Sequence, residues 1–392
     1  MKISILGYGV VGKGVYEMLQ ACPEHVVCSV LVRQGKAEAE KSWMVESIDN
    51  VLNDASDAVI ECIGGTEPAF EFTSRCLEAG KSVITSNKAL VASHGIELMN
   101  KALAKNLSFL FSAACGGAIP ILQNLYCARQ TDFIFNAGGI LNGTTNYMLD
   151  AMDRFSLSFE EALAQAKTLG YAEADPTADL SGLDTLRKIL LLSMVAYDIL
   201  PAEGYNIEGI QSICATDFGF AKAHDCTLRL IGKTGLSEDG KLYAYVEPVM
   251  CKKDSSFSGV VANNNLAFYT GKNSGYMSFG GQGAGRYPTA SAVLRDVFSV
   301  SSGQRQMLRA NCKTGQAFND SKECENNYIV RCKKETKSLC DSLIPNREIA
   351  QEGELLYLLT DKIGVKKMHD AAKNIRESGA ELFFAQCDEV NL

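Results

Sequence analysis

The chain has 392 residues, 46% of them hydrophobic and 21% charged, with a formal net charge of −8. That length suffices for two or three domains, and the balance is that of a globular rather than a disordered protein. No run of Lys and Arg exceeds two or three residues, and no apolar stretch approaches the roughly 20 residues of a membrane span, so nucleic acid and membrane are not expected partners.

Through about residue 125, short β-branched runs alternate with helical segments. Strands are predicted at 3–6, 26–32, 58–62, 82–85 and 107–111, and helices at 13–20, 69–79 and 94–105. Near-continuous apolar strands alternating with helices mean a parallel sheet covered on both faces, an α/β domain over 1–130. From Ile134 the texture changes. Gly138 to Leu141 reads as a strand running into a polar loop, Asn142 to Tyr147. Ser158-Phe-Glu-Glu161 is a capping box whose helix ends at Gly170. A very apolar helix follows Gly182, strands are predicted at 243–249 and within 265–278, and the glycines of 280–285 break the pattern. Tyr287-Pro-Thr-Ala-Ser291 opens a long helix. These elements predict a mixed α+β domain over 131–304, with helix 288–302 packing back on the first domain. A polar linker follows Gln304. The tail, 320–392, reads strand, helix, strand, strand, helix, strand, at 328–332, 336–343, 347–351, 354–360, 365–377 and 382–387. That βαββαβ order is the pattern of small ligand-binding regulatory domains.

Gly7-Tyr-Gly9-Val10-Val11-Gly12 follows the first strand and opens a helix. Such glycines allow a tight turn, backbone approach to a pyrophosphate and close helix–strand packing, while the helix N-terminus offers unpaired N–H groups. This is a dinucleotide site of the Rossmann type. The second strand ends Val30-Leu-Val-Arg33, where an NAD site usually has Asp or Glu. Arg33 can instead pair the 2′-phosphate of NADP; the alternative is an exposed surface Arg. Gly64-Gly65-Thr66 follows the strand ending at Cys62 and is expected beneath the ribose or the nicotinamide.

The densest segment is 170–188, with Glu173, Asp175, Asp179, Asp184, Arg187 and Lys188. Asp184 and Lys188 are four apart and share a helix face, among Leu183, Leu186, Leu190 and Leu191. A buried Lys beside an Asp can donate a proton, because desolvation and a neighbouring charge tune its pKa; the alternative is a structural ion pair. Ser86-Asn87-Lys88 and Asn142-Gly143-Thr144 also follow strand ends, where open α/β sheets bind ligands. The other reactive residues argue against rival chemistries. Fourteen cysteines include no Cys-x-x-Cys pair and read as reduced, small hydrophobic residues, as expected of a cytoplasmic chain whose N-terminus is too short an apolar run for a signal peptide. His25, His94, His224 and His369 lie far apart, which excludes a zinc-dependent dehydrogenase or protease.

These motifs in this order resemble the homoserine dehydrogenase family. The resemblance rests on the N-terminal fingerprint, Ser86-Asn-Lys88, Gly139-Ile-Leu-Asn-Gly-Thr-Thr-Asn-Tyr147, Gly170-Tyr-Ala-Glu-Ala-Asp-Pro176, Gly182-Leu-Asp-x-x-x-Lys188 and Gly281-x-Gly-Ala-Gly-x-x-Pro-Thr-Ala-Ser-Ala292. It covers residues 1 to about 300. It implies interconversion of L-homoserine and L-aspartate 4-semialdehyde with NADP, or with NAD, in threonine, methionine and isoleucine biosynthesis. By resemblance, Lys188 is the proton donor and Lys88 its partner, and Glu173 and Asp184 bind the amino-acid end and hydroxyl. Asp179, Tyr171, Thr144 and Gly143 support the substrate, and Ser86, Gly283 and Gly285 join the cofactor site.

The chemistry agrees: hydride arriving at a carbonyl carbon leaves charge on oxygen, which a positioned ammonium stabilises and protonates. A buried site must also pair the substrate's α-ammonium with carboxylate. The family's monovalent-cation site usually has a Glu where this chain has Ser112; backbone carbonyls of Cys115, Gly117 and Ile119 can still hold sodium. The resemblance further implies a homodimer or homotetramer, a monofunctional chain, and an ACT-type tail that binds an amino-acid effector or only stabilises the dimer. Two other readings stay open: a catalytically silent regulator binding nucleotide and an amino acid, and an NADP oxidoreductase for another amino-acid semialdehyde.

Overall fold

Ile3, Ile5, Val59, Ile60, Val83 and Ile84 have no exposed surface. Strands buried on both faces must lie inside a layered parallel sheet. The structure is a computed structural model and describes residues 1–388. In chain order it begins β1 (Lys2–Leu6), α1 (Val10–Gln20), β2 (Val26–Leu31), β3 (Met44–Val45), α2 (Ile48–Asn53), β4 (Ala58–Glu61), α3 (Ala69–Glu78), β5 (Ser82–Thr85), α4 (Lys88–Ala104), β6 (Phe109–Leu110) and α5 (Ile121–Ala128). It continues β7 (Ile134–Ile140), α6 (Gly143–Phe155), α7 (Phe159–Thr168), α8 (Thr177–Leu180), α9 (Leu183–Tyr197), β8 (Ile199–Glu203), β9 (Asn206–Ile207), α10 (Ala215–Ala223), β10 (Cys226–Leu236), β11 (Leu242–Lys252), β12 (Asn264–Gly271), β13 (Gly275–Gln282) and α11 (Arg286–Ser301). The remainder is β14 (Lys313–Gln316), β15 (Glu325–Asn326), β16 (Tyr328–Lys333), α12 (Lys337–Leu343), β17 (Asn346–Glu352), β18 (Leu355–Thr360), β19 (Ile363–Gly364), α13 (Val365–Glu377) and β20 (Leu382–Asp388).

These elements form two compact units, each drawing on separated stretches of chain. The first comprises Met1–Asp132, Leu190–Leu200 and Gly281–Thr314; the second comprises Phe133–Ile189, Pro201–Gly280 and the chain from Gly315 on. The first unit holds a parallel sheet in the order β3-β2-β1-β4-β5-β6. Strand order reverses between β1 and β4, and ligands of open α/β sheets bind at the carboxyl ends of such a pair. Helix α4 begins at Lys88, earlier than predicted, because the Asn87 side chain accepts from Leu90 N–H at 3.1 Å and caps it. The stretch after Gln304, expected to be a polar linker, packs instead. Arg305 O accepts from Phe109 N–H at 3.0 Å, and Gln306, Met307 and Leu308 are buried.

The second unit is built on a ten-stranded sheet, ordered β13-β12-β7-β10-β11-β20-β16-β18-β17 with β9 on β11. Its spine is the antiparallel pair β10–β11, in register from Cys226↔Lys252 to Leu236↔Leu242. On one face Ile140, Ile231, Val249 and Leu266 cluster with Phe257. On the other, a Cβ at Gly232 would stand 2.5 Å from Ile189 and 2.9 Å from Thr185, so this glycine lets the start of α9 lie against the sheet. The polar run 142–147, expected as a loop, is a helix start: Asn142 Oδ1 accepts from Thr145 N–H at 2.8 Å and caps α6. The glycines expected to break the pattern at 280–282 stay within β13. The tail has the predicted element order, and its strands extend the same sheet, because β20 pairs in parallel with β11 at Val249↔Gln386. Val330, Leu358, Met368, Ile375 and Phe384 form its core. Among the described residues no helix is long and apolar enough to cross a membrane.

Candidate active site

Three glycines at the end of β1 do different work. Gly7 takes φ +100°, and a Cβ there would stand 2.9 Å from the Cys62 carbonyl oxygen. A Cβ at Gly12 would stand 2.0 Å from Gly7 O, so the first turn of α1 can close on β1 only without one. Around Gly9, which caps α1, nothing lies within 4 Å of a built Cβ. Open space at the helix N-terminus, framed by two tight glycines, is a cradle for a pyrophosphate. A cleft of about 1130 Å³ opens there, and its walls include Gly7, Gly9, Arg33, Cys62, Gly64 and Arg286. Val10 and Val11 begin α1 directly after Gly9. The turn therefore fits a dinucleotide, with the exposed Arg33 available to a further phosphate.

The neighbouring strand ends are tied to each other. Glu61, fully buried at the end of β4, accepts from Ile63 N–H at 2.6 Å and from the Thr85 hydroxyl of β5. Burial pushes its carboxyl up, and those bonds pull the other way. Asn87 donates to Gly65 O at 2.6 Å, joining the Gly64-Gly65-Thr66 loop to the Ser86-Asn87-Lys88 loop. Burial pushes the Cys62 thiol up to about 12, so it stays neutral against the cleft.

Cys115, Gly117 and Ile119 lie on one curled loop, where Gly116 and Gly117 take φ of +81° and +53°. A Cβ at Gly117 would stand 2.5 Å from the Gly283 carbonyl carbon, so the chain leading to Gly285 and α11 seats on this loop. The Ile119 carbonyl accepts from Ile121 N–H at 2.9 Å and keeps a second lone pair. Such carbonyls suit a hard monovalent cation, but the oxygens are neutral. The Ser112 hydroxyl donates to Met307 Sδ at 3.6 Å, and its N–H donates at 2.8 Å to Asp296, whose carboxyl burial pushes up to about 7. Among the described residues no group of three or more His, Cys, Asp or Glu is arranged to hold a metal ion.

The second unit carries the acid–base cluster. Lys188, on α9, places its ammonium 2.8 Å from Asp184 Oδ2 and donates to the Leu141 carbonyl at the end of β7; both side chains are less than a tenth exposed. Asn142 Nδ2 donates to Asp184 at 2.8 Å and to Asp179 at 2.7 Å. Burial pushes the Asp179 carboxyl up; the Asn142 bond opposes this, and the Asp184 charge adds to it. The Thr144 hydroxyl donates to Tyr171 O, and Gly143 starts α6. Asp179, Asp184, Lys188, Thr144 and the Tyr171 backbone are thus brought together, while the Glu173 side chain is exposed and outside the cluster. An ammonium held between a carboxylate and a carbonyl, in a buried setting, can give and retake a proton.

Asn142 was part of a motif picked out from the sequence but was given no role there, although it holds both carboxylates. Its signal was an Asn at a strand end before Gly-Thr-Thr, the N-cap position. Glu61 was also missed; the signal was one acid closing an apolar strand.

Two family models match the chain: "Homoserine dehydrogenase" over residues 120–298 and "Homoserine dehydrogenase, NAD binding domain" over residues 7–112. The chain is 32% identical to the homoserine dehydrogenase of Bacillus subtilis (strain 168) over 333 residues, 81% of this chain and 77% of that protein. It is 37% identical to that of Corynebacterium glutamicum over 317 residues, 76% of this chain and 71% of that one. Among solved structures, a homoserine dehydrogenase from Thiobacillus denitrificans superposes with a TM-score of 0.87 at 27% identity, covering 100% of this chain and 99% of that one. A hyperthermophilic archaeal homoserine dehydrogenase in complex with NADPH superposes with a TM-score of 0.66 at 25% identity, over 77% of this chain and 97% of that one.

Proposed function

This chain belongs to the homoserine dehydrogenase family and is an NAD(P)-dependent homoserine oxidoreductase of amino-acid biosynthesis; from that premise we propose how its own residues carry the reaction. The observation that carries the reading is the buried Lys188 ammonium, 2.8 Å from Asp184 and bonded to Leu141 O. Lys188 protonates the oxygen of L-aspartate 4-semialdehyde as the carbonyl is reduced, and takes the hydroxyl proton of L-homoserine in reverse. Lys88, at the first turn of α4, is the second ammonium of the reaction. Glu173 and Asp184 take the α-ammonium and hydroxyl ends, supported by Asp179, Tyr171, Thr144 and Gly143. The exposure of Glu173 suits a group that meets substrate only on binding.

The bound dinucleotide supplies or accepts the hydride. Gly7, Gly9, Val10, Val11 and Gly12 hold its pyrophosphate, and Gly64, Gly65, Thr66, Ser86, Lys88, Gly283 and Gly285 complete its site. Arg33 selects NADP over NAD by pairing the 2′-phosphate, a reading supported by its position on the cleft and by the NADPH complex of the archaeal relative. Cys115, Gly117 and Ile119 would hold sodium through backbone oxygens, which would stiffen the loop that meets Gly283. The finer readings carried from the sequence are a homodimer or homotetramer, a cytoplasmic location, the threonine, methionine and isoleucine branches, and an amino-acid effector at the C-terminal βαββαβ segment.

The test is purified protein with L-homoserine and NADP or NAD, followed by the absorbance of the reduced nicotinamide. A steady rise is expected; none with either cofactor would sink the reading. In the same assay Arg33→Ala should raise KM for NADP by about tenfold, the worth of one charge-assisted contact. An equal effect on NAD would return Arg33 to the surface-residue reading.

A further inference from the structure

One buried side chain on the sheet face that α9 covers has no hydrogen-bond partner at either end. Asn265, on β12, is 1% exposed, and neither its Oδ1 nor its Nδ2 has a partner. Burying an amide unpaired costs the full desolvation of its polar atoms, so an orphan of this kind calls for a physical reason.

Its position follows from the register. Leu266 pairs with Ile140 across β12 and β7, and both belong to the cluster with Ile231 and Val249. Alternation turns Asn265 to the opposite face, that of Ala267. Ala267 pairs with Gly139, and Gly139 with Gly232, the glycine on which Thr185 and Ile189 of α9 rest. Asn265 therefore lies on the face of the sheet that α9 covers. Continuing the antiparallel register by one residue sets it beside Leu141, whose carbonyl accepts from Lys188. Thr185, one turn before Lys188 on α9, also has a buried hydroxyl without a partner.

We propose that Asn265 is a positioning residue for Lys188, an orphaned amide held in reserve for the two protonation states of that amine. The inference rests on the proton-donor role given to Lys188 above. When the Lys188 ammonium gives a proton to the substrate oxygen, an O–H bond forms, an N–H bond breaks, and a neutral amine with a lone pair remains. Asp184 is an acceptor and holds only the ammonium. An amide serves both forms: Oδ1 accepts from the ammonium, and Nδ2 donates to the lone pair of the amine. That dual capacity explains an amide, rather than a carboxylate or an apolar side chain, at this point of the sheet.

The test is Asn265→Leu, a near-isosteric change that removes both functions, with Asn265→Ala as a second variant should the first not fold. Turnover of homoserine is expected to fall about tenfold and its solvent deuterium effect to grow, with KM for homoserine and dinucleotide unchanged within about twofold. Thermal stability should stay equal or rise, because an unpaired buried amide is lost. Normal turnover with an unchanged isotope effect would overturn the proposal. So would a clear fall in unfolding temperature, since that would show an amide already partnered and structural; this readout needs no activity. An inactive wild-type protein would instead strike the reaction assigned to Lys188.

Discussion

Lys188 shows how one side chain acquires chemistry from its neighbours. The ammonium is nearly buried, and Asp184 on its own helix offsets the cost of taking the charge out of water. Asn142 then ties Asp184 to Asp179, whose carboxyl burial pushes up, so the two acids share one amide instead of repelling freely. Lys188→Met keeps the volume and removes the proton donor. Turnover should fall about a hundredfold or more, while reduced-cofactor binding, followed by its fluorescence, stays near the wild-type value. Normal turnover would make Lys188–Asp184 a structural pair. The Asp184–Lys188 spacing was legible in the sequence because both lie on one helix. The role of Asn142 was not, because its two acceptors come from 37 and 42 residues away.

At the scale of elements, the turn from β1 into α1 is specified by local rules, and its glycines are not equivalent. Gly12→Ala drives a Cβ into Gly7 O and should cost about 1–3 kcal/mol of stability as well as cofactor binding. Gly9→Ala meets open space, so it should leave stability alone and weaken only the dinucleotide. Thermal unfolding without cofactor, beside a binding titration, separates the two; equal destabilisation by both would refute this division of labour. The helix starts at Lys88 and Gly143 were harder to read, because Asn87 and Asn142 cap helices within polar runs that look like loops. Strand β10 was hidden for another reason. Arg229 interrupts its apolar run, yet is 1% exposed, with the Asp150 carboxylate of α6 at 3.6 Å and the Ser258 carbonyl at 3.1 Å. A charge that tertiary partners satisfy reads from sequence as a break in the strand.

At the scale of the molecule, a partly buried carboxylate and a fully buried one oppose each other in the pH dependence of stability. Burial alone would raise Asp54, but hydrogen bonds from Ser29, Ser4 and Ser56 overturn that and hold it well below the usual carboxylate range. Its contribution is present above the ordinary Asp pKa of about 4 and is lost as pH falls. Asp296 runs the other way. Burial raises it to about 7, so its contribution is full below about pH 4 and is lost as pH rises through about 7. Asp54→Asn should therefore lower the unfolding temperature at pH 7, with the deficit shrinking toward acid. Asp296→Asn should raise it at pH 8 and match wild type near pH 4. Parallel curves across that range would show that neither group titrates as argued.

By itself the sequence determined the Rossmann-type first domain, the family and the reaction class. The features responsible are local or repeat at short range: a glycine turn after a strand, an Asp four residues before a Lys, motifs in a set order. Tertiary structure alone decided which distant groups meet. It set Asn142 between two carboxylates, drew the stretch from Arg305 to Thr314 into the first unit, and ran the tail's strands into the sheet of the second through β20 and β11. Those pairings join residues far apart in the chain, where packing and hydrogen-bond satisfaction choose the partner and no local spacing records the choice.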